Sequence, residues 1–478
     1  MKKSATKIKR ISVYLNVFTV LILLSLLQGC AAVGPDYKTP ELSHDMKDWE
    51  QVPESGIVAA EADISQWWKK LGDPKLDQLV DMAVSNNLDL EQARSRVRGA
   101  RAQRGIAGAK GLPQVTASGS AVRQKSGEAS SGDLYSSGFD AAWELDIFGR
   151  VRRSGEASDA DLEATIESLR DVQVSLLAEV ALNYIDVRSF QSRLRLAEGN
   201  ANLQEETYKL VMSLFDSGLT SGLELKEAES NLANTASQIP PLKTGLSKAM
   251  HRLAVLVGQK PGMLDDFLAQ SGFIPVAPPK TAIGIPADLM RRRPDIRQAE
   301  RELAAQTARI GVVMADLYPR FTLSGVLSFQ ATDASNLFST LSRTLSLGPS
   351  FQWNIFNAGS VRNNITVQNE RQKQALLSYE QSVLTALEEV ENALVAYARE
   401  LDRNQSLRQA VAASREAVRL AESMYKDGLR DFSHVLNTQQ GLFSQEDQLA
   451  ESDAEITGNL IRLYKALGGG WEQKDRLQ

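Results

Sequence analysis

Residues 135–147 constrain the fold more than any other stretch. Tyr135, Phe139, Ala141, Trp143, Leu145 and Ile147 fall on one face of an extended chain, interrupted only by Ser137. Ser136, Gly138, Asp140, Ala142, Glu144 and Asp146 fall on the other. A two-residue period belongs to a β-strand with one apolar and one polar face. The pattern returns where Leu345, Leu347, Pro349, Phe351, Trp353 and Ile355 alternate with Thr344, Ser346, Gly348, Ser350, Gln352 and Asn354. Each of these has a partner upstream. Phe321, Leu323, Leu327 and Phe329 alternate with Thr322, Ser324, Ser328 and Gln330, and a weaker version runs from Val115 to Val122. The spacing predicts four strands, at about 114–122, 135–147, 321–330 and 344–355, arranged as two hairpins. Strands of about 9–11 residues with this alternation suit a transmembrane β-barrel. Asp140, Glu144, Asp146, Gln352 and Asn354 would then face a lumen. A half-solvated antiparallel sheet alternates in the same way, so the pattern alone leaves both open.

The N-terminus favours the barrel. Lys2, Lys3, Lys7, Lys9 and Arg10 precede an apolar run from Ile11 to Leu27, and then Gln28-Gly29-Cys30. A basic start, an apolar stretch and a small residue before the cut make a secretory signal over 1–29. Cys30 after Gly29 resembles a bacterial lipobox, in which that cysteine becomes the lipidated first residue. A non-lipidated signal or a simple anchor is the alternative. By the same resemblance, Ala31 after the cysteine implies delivery to the outer membrane. Residues 30–73 then form a lipid-anchored N-terminal segment. The covalent lipid on Cys30 is the only non-protein group expected. Further along, no run approaches the ~18–20 apolar residues of a membrane helix. Cys30 is the only cysteine, which excludes an internal disulfide or thiolate cluster. His44, His251 and His434 are scattered, and the HExxH, P-loop and GxSxG patterns are missing, so no enzyme is expected. A net charge of −5 gives no basic surface for nucleic acid.

The chain is an internal duplication. An offset of 210 carries Trp143 onto Trp353, Glu179-Val180 onto Glu389-Val390, Gly218-Leu219 onto Gly428-Leu429, and Gly258 onto Gly468. Upstream an offset of 206 carries Asp89 onto Asp295, Ala93 onto Ala299, Gly105 onto Gly311, and Pro113 onto Pro319. The two repeats cover 74–260 and 287–470, joined by a linker at 261–286 and followed by a charged tail at 471–478. Each reads helix, strand, strand, long helix, short helix. In the first, helical spacing runs from Lys75 to Lys110 with a break at Asn86-Asn87. A long helix over about 151–215 follows the hairpin. A turn at 216–222 leads to a return helix over 223–257, kinked by Pro240-Pro241. In the second, the helices fall at about 287–317, 361–426 and from the 427–432 turn to Leu467. A helix of about 65 residues is roughly 100 Å long, and a return helix of about 36 covers roughly 55 Å. The helices would therefore project from the strands as a rod, tipped by the two turns. Four strands cannot close a barrel alone, because single-chain barrels start at eight and lipid does not tolerate open edges. The fold class is mainly α with a transmembrane β-barrel portion, completed by oligomerisation about a common axis.

One further set of residues carries a family resemblance. Ile285-Pro286-Ala287-Asp288-Leu289-Met290-Arg291-Arg292-Arg293-Pro294-Asp295-Ile296 resembles the TolC-like outer-membrane factors, in particular their lipoprotein branch in tripartite efflux pumps. The stretches from Cys30 to Pro40, from Trp67 to Asn87, from Trp143 to Gly149 and from Trp353 to Gly359 are similar too. The resemblance implies a homotrimer whose 12-stranded barrel, four strands per chain, continues into a long periplasmic α-helical barrel. The partners implied are outer-membrane lipid, a periplasmic adaptor and an inner-membrane efflux pump. The family's duct is closed at the helix tips. Matched on the turn glycines, Tyr425 and Arg430 fall on its gate and Glu224 on the acidic partner. His434 and Asn437 fall where the family pattern lines the constriction with aspartates. Arg291, Arg292 and Arg293 read as a solvated helix start with no role in transport. The function implied is a passive exit duct for small molecules such as drugs and toxic compounds. A type I protein-secretion duct and a pore-free helical lipoprotein scaffold are the alternatives.

Overall fold

The structure, a computed structural model, describes residues 32–40, 49, 57–58, 63–125, 127, 131–276, 281–282 and 289–471. The signal segment, Cys30 and residues 285–288 lie outside them. Eight α-helices of 13 residues or more organise the described chain. These are α1 (Pro74–Asn86), α2 (Leu88–Ala109), α3 (Arg150–Asp216), α4 (Gly222–Ser237), α5 (Ile239–Leu256), α6 (Pro294–Met314), α7 (Ser360–Lys426) and α8 (Phe432–Ala466). Four long strands are inserted after α2 and α6: β1 (Gln114–Gln124), β2 (Gly132–Leu145), β3 (Arg320–Ala331) and β4 (Arg343–Gln352). The chain divides into two compact units. One is Met1–Leu42, Arg96–Ile166 and Gln298–Glu380; the other is Ser43–Ser95, Glu167–Arg297 and Gln381–Gln478.

In the first unit the two hairpins merge into one antiparallel sheet of order β1-β2-β3-β4. Val115 lies opposite Ala141, Ala141 opposite Gly325, and Gly325 opposite Leu347. Odd-numbered residues of all four strands therefore share one face, and even-numbered residues the other. The odd face carries Phe139, Trp143, Leu327, Leu345, Leu347 and Phe351. The even face carries Thr116, Ser118, Asp140, Ser324, Ser328 and Ser346. Phe139, Leu345, Leu347 and Phe351 are all more than half exposed. The sheet thus offers a broad apolar surface that nothing in the described chain covers. β1 and β4 pair on one side only, which leaves two open edges.

Both hairpins are tied to the helix that feeds them in the same way. Trp143 Nε1 donates to the carbonyl of Gly111 at 2.9 Å, and Trp353 Nε1 to that of Leu317 at 3.0 Å. The tryptophans are related by the offset of 210 and the acceptors by 206, the two registers found in the sequence. The strand ends differ from expectation. β2 stops at Leu145, and the Asp146 carboxylate turns back to accept from the amides of Val151 and Arg152 at 2.9 and 2.8 Å. It caps α3 and is not a lumen-facing strand residue. β4 stops at Gln352, so Asn354 lies in the exposed turn beyond it.

The residues that follow Cys30 are seated against α3 and α6 in the same unit. Arg153, with its side chain 6% exposed, donates to the carbonyls of Val33 and Gly34 and pairs with Asp36 at 2.7 Å. The amide of Val33 donates to the Phe148 carbonyl at 3.1 Å. Tyr37 donates to Glu300 at 2.9 Å; burial and that carboxylate push its phenol up to about 12. Gly34 has φ +97°, and a Cβ there would stand 2.5 Å from the Gly311 Cα.

In the second unit, caps explain the helix breaks. Asp73 accepts from the amides of Lys75 and Leu76, with Pro74 opening α1. Asn87 separates α1 from α2 by accepting from Leu90 N at 2.9 Å. Pro240 and Pro241 do not kink a continuous helix. They occupy the first turn of α5, where a missing N–H costs nothing, and α4 has already ended at Ser237. Trp471 is no part of a loose tail. Its ring lies 4.6 Å from the Arg170 guanidinium and 5.3 Å from that of Arg297, and its indole donates to the Arg292 carbonyl.

Gly34→Ala meets both a left-handed backbone and a backbone clash, whereas Gly72 has φ +65° with open space around its missing Cβ. Gly72→Ala is expected to cost about 1 kcal/mol, the left-handed penalty alone. Gly34→Ala is expected to cost clearly more, read from thermal unfolding of the two variants side by side.

Candidate functional site: the helix tips

The two turns in the second unit are built alike. Gly218 and Gly428 adopt φ of 72° and 67°. Leu219 N reaches the Leu214 carbonyl at 2.8 Å, and Leu429 N reaches that of Met424 at 2.8 Å. A left-handed glycine and a bond across the last helical turn end both long helices with their carbonyls satisfied. Behind the turns, Val211 of α3 and Ala228 of α4 pack with Ala421 of α7 and with Phe432, Val435 and Leu436 of α8. Tyr208, Leu225 and Tyr425 flank this cluster.

The expected gate residues sit at its edge. Tyr425 packs on Phe432 with ring centroids 5.1 Å apart. Burial, and then the nearby Glu224 charge, hold its phenol above its ordinary range. Glu224 is half-buried in the first turn of α4, its amide donating to the capping Ser221 hydroxyl at 3.3 Å. Arg430 is exposed on the second turn. Among the described residues no hydrogen bond or ion pair joins Glu224 to Arg430. The structure therefore brings Glu224 and Tyr425 together and leaves the expected Glu–Arg link unmade within one chain. His434 and Asn437 are both exposed on the first turns of α8. Asn437, with Ser433 and Gln440, borders a groove of about 470 Å³ whose other wall is Lys226, Ser230 and Asn234 of α4.

Sequence reasoning missed a second feature. Behind the apolar cluster, Asn231 Nδ2 donates to Gln204 Oε1 at 3.2 Å, Gln204 Nε2 to Gln439 Oε1 at 3.1 Å, and Gln439 Nε2 to Glu422 Oε1 at 3.2 Å. Gln204 and Gln439 are 1% and 5% exposed. This relay crosses α4, α3, α8 and α7 in turn; its central bond, which joins the two helix pairs, is buried, and the two outer bonds are half-buried. The only signal was polar residues on otherwise apolar seams, which a composition of abundant glutamine conceals.

On the sheet, Asp140 lies on the even face opposite Thr116 and Val326, and Gln352 opposite Arg320. Glu144, also on that face, accepts from Arg150 Nε at 2.9 Å. These three share the even face; Asp146 and Asn354 lie beyond the strand ends.

A family model described as outer membrane efflux protein matches residues 79–259 and again 285–469. The chain belongs to the outer membrane efflux protein family. The two matches begin 206 residues apart and end 210 apart, the same two offsets. The chain is 33% identical to nodulation protein T of Rhizobium leguminosarum bv. trifolii over 467 residues, 95% of this chain and 97% of that protein. It is 32% identical over 473 residues to the pyoverdine export outer membrane protein OpmQ of Pseudomonas aeruginosa, covering 95% and 98%. The solved outer-membrane channel OprN superposes with a TM-score of 0.86 at 39% identity, over 92% of this chain and all of that one. This family member is accordingly an outer-membrane channel component of an efflux system.

Contrary to expectation, Arg293 within the RRRPDI segment of this efflux protein is not solvated. Arg293 is 7% exposed. Its guanidinium holds Asp295, Glu389 at 2.7 Å and the Ala466 carbonyl at 2.8 Å, so it fastens the start of α6 to α7 and to the end of α8. Asn87, its counterpart at the offset of 206, donates to the Leu256 carbonyl, the counterpart of Ala466 at 210. Beside Arg293 a cavity of about 220 Å³ is bordered by Asp171, Asp295, Glu389 and Lys465. Burial, and then Asp295, raise the Asp171 carboxyl above its ordinary 3.8; Arg293 and Lys465 oppose the shift and Glu389 adds to it.

Two outcomes follow for the efflux protein. A carboxyl raised on folding adds stability at low pH and loses it as pH rises through the folded value. Asp171→Asn is thus expected to be more stable than the parent at neutral pH. The difference should shrink as pH falls through the window just above 3.8, followed by denaturant unfolding at a series of pH values. For the relay, Gln204→Leu alone orphans buried amide atoms and is expected to cost about 1–3 kcal/mol. Gln204→Leu with Gln439→Leu should cost less than the sum of the singles, read from a double-mutant cycle.

Proposed function

We propose that three copies of this chain form a lipid-anchored, gated exit duct that passes small molecules across the periplasm and outer membrane. The observation that carries the reading is the four-stranded sheet: one continuous apolar face, one polar face, and two unpaired edges. In lipid each open edge exposes backbone N–H and C=O groups at several kcal/mol apiece. Pairing β4 of one copy with β1 of the next satisfies both edges. Three copies give twelve strands, with the odd face toward lipid and Asp140, Glu144 and Gln352 toward water. The lipid belongs on Cys30. Arg153 fixes the chain three residues later, which supports an anchor held at the base of the sheet.

The helix tips form the gate. Arg430 is exposed and its side chain makes no bond among the described residues, while Glu224 is half-buried beside Tyr425. In this reading they bond across the boundary between neighbouring protomers when three tips converge. Charge-assisted bonds at a wet mouth are strong enough to hold and can be exchanged for water on opening. A periplasmic adaptor and an inner-membrane pump supply the energy and the cargo.

Conductance in planar bilayers tests this. The parent trimer is expected to show a small conductance, and Glu224→Ala and Arg430→Ala each a severalfold larger one at unchanged thermal stability. A folded trimer that stays non-conducting in both variants would support the scaffold instead.

A further inference from the structure

The connection between β3 and β4, residues 332–342, is a built loop. Asp333 accepts from the amide and hydroxyl of Ser335 at 2.9 and 2.7 Å. The Asn336 carbonyl accepts from Ser339 N at 3.1 Å and from the Ser342 hydroxyl at 2.8 Å. What this loop holds out is apolar: Phe338 is 72% exposed and Leu341 98%. A hydrogen-bonded loop that presents leucine to water is unusual for a surface with no apolar neighbour to meet.

Its direction identifies the neighbour. The Phe338 ring meets the Phe329 ring edge-on at 5.6 Å. Phe329 belongs to the odd face, so Phe338 extends that face and leans away from the polar one. Arg343 lies directly opposite Phe329 on the same face. It is exposed, and no hydrogen bond or ion pair engages its side chain among the described residues. The apolar belt of Leu345, Leu327 and Phe329 therefore continues into Phe338, three residues before the exposed Leu341, with one guanidinium unpaired among the described residues at its border. Apolar side chains flanked by a cation are the arrangement of a bilayer interface, where acyl chains give way to phosphate.

We propose that residues 332–343 form an interfacial anchor in the outer leaflet, with Phe338 and Leu341 among acyl chains and Arg343 on a lipid phosphate. This rests on the membrane-barrel reading above and adds a lipid contact at the duct's exit. The loop then braces the barrel from outside and leaves the mouth open.

The test uses nitroxide labels on Leu341→Cys and, as a control within the belt, on Leu345→Cys, in the full trimer in liposomes. Label mobility is read against oxygen, which concentrates in acyl chains, and a water-soluble nickel complex. Unsubstituted protein controls for reaction at Cys30. Oxygen broadening is expected to exceed nickel broadening severalfold at both sites. Adding a phosphomonoester lipid should lower nickel access at 341, and Arg343→Gln should abolish that lipid dependence. Nickel dominance at 341 with oxygen dominance at 345 overturns the anchor and leaves the barrel standing. Nickel dominance at both removes the barrel reading itself. Spin coupling among the 341 labels of one trimer means that the loops meet one another, which also overturns the anchor, as does a lipid response that survives Arg343→Gln.

Discussion

Backbone hydrogen bonding at two strand edges governs this molecule. β1 and β4 each leave a row of N–H and C=O groups without partners, beside an apolar face that water solvates poorly. Soluble sheets blunt such edges with charge, proline or bulges. Here Pro349 is the one proline among the four strands, at an edge position where its missing N–H is tolerated, and the odd face near it stays apolar. An edge left this open is built to be paired, and identical chains around an axis pair it without remainder. The assembly is therefore a condition of the sheet's stability in lipid.

Duplication explains why one chain supplies both edges. Each repeat contributes a hairpin, a tryptophan that ties it to the preceding helix, a long helix of 67 residues and a glycine-terminated turn. The copies have diverged where their surroundings differ. Asn87 and Arg293 hold equivalent carbonyls, but only the arginine also reaches two carboxylates. Asp146 caps α3, while its counterpart, Phe356, is 90% exposed and can cap nothing. The same backbone plan is kept and the polar fastenings are rebuilt.

The strands, the long helices and the repeat were legible because each leaves a periodic trace over many residues. A period of two survives any one substitution, such as Ser137 in β2. Ends were less legible because they depend on single caps. Asp146 reads as the next polar strand residue until its carboxylate is seen on two helix amides. Pro240-Pro241 reads as a kink until α4 is seen to end before it. Arg293 was least legible. An arginine beside two others looks solvated, and only the fold reveals that its partners come from α7 and α8, about 100 and 170 residues away in sequence. Gln204 and Gln439 were hidden for the same reason, 235 residues apart.

The tips combine two kinds of polar contact, and the difference between them is mechanical. Gln204 and Gln439 are uncharged and buried, so parting them strands donors and acceptors away from water at a cost of about 1–3 kcal/mol. Glu224 and Arg430 are ionic and reach water, so exchanging one partner for another costs about 0–1 kcal/mol. Beside them lies an apolar cluster in which Ala228 and Ala421 pack with Val211, Phe432, Val435 and Leu436. The buried amides tie the two helix pairs together, and Glu224 and Arg430, the residues assigned to the gate in the proposed duct, lie beyond them at the water-exposed ends.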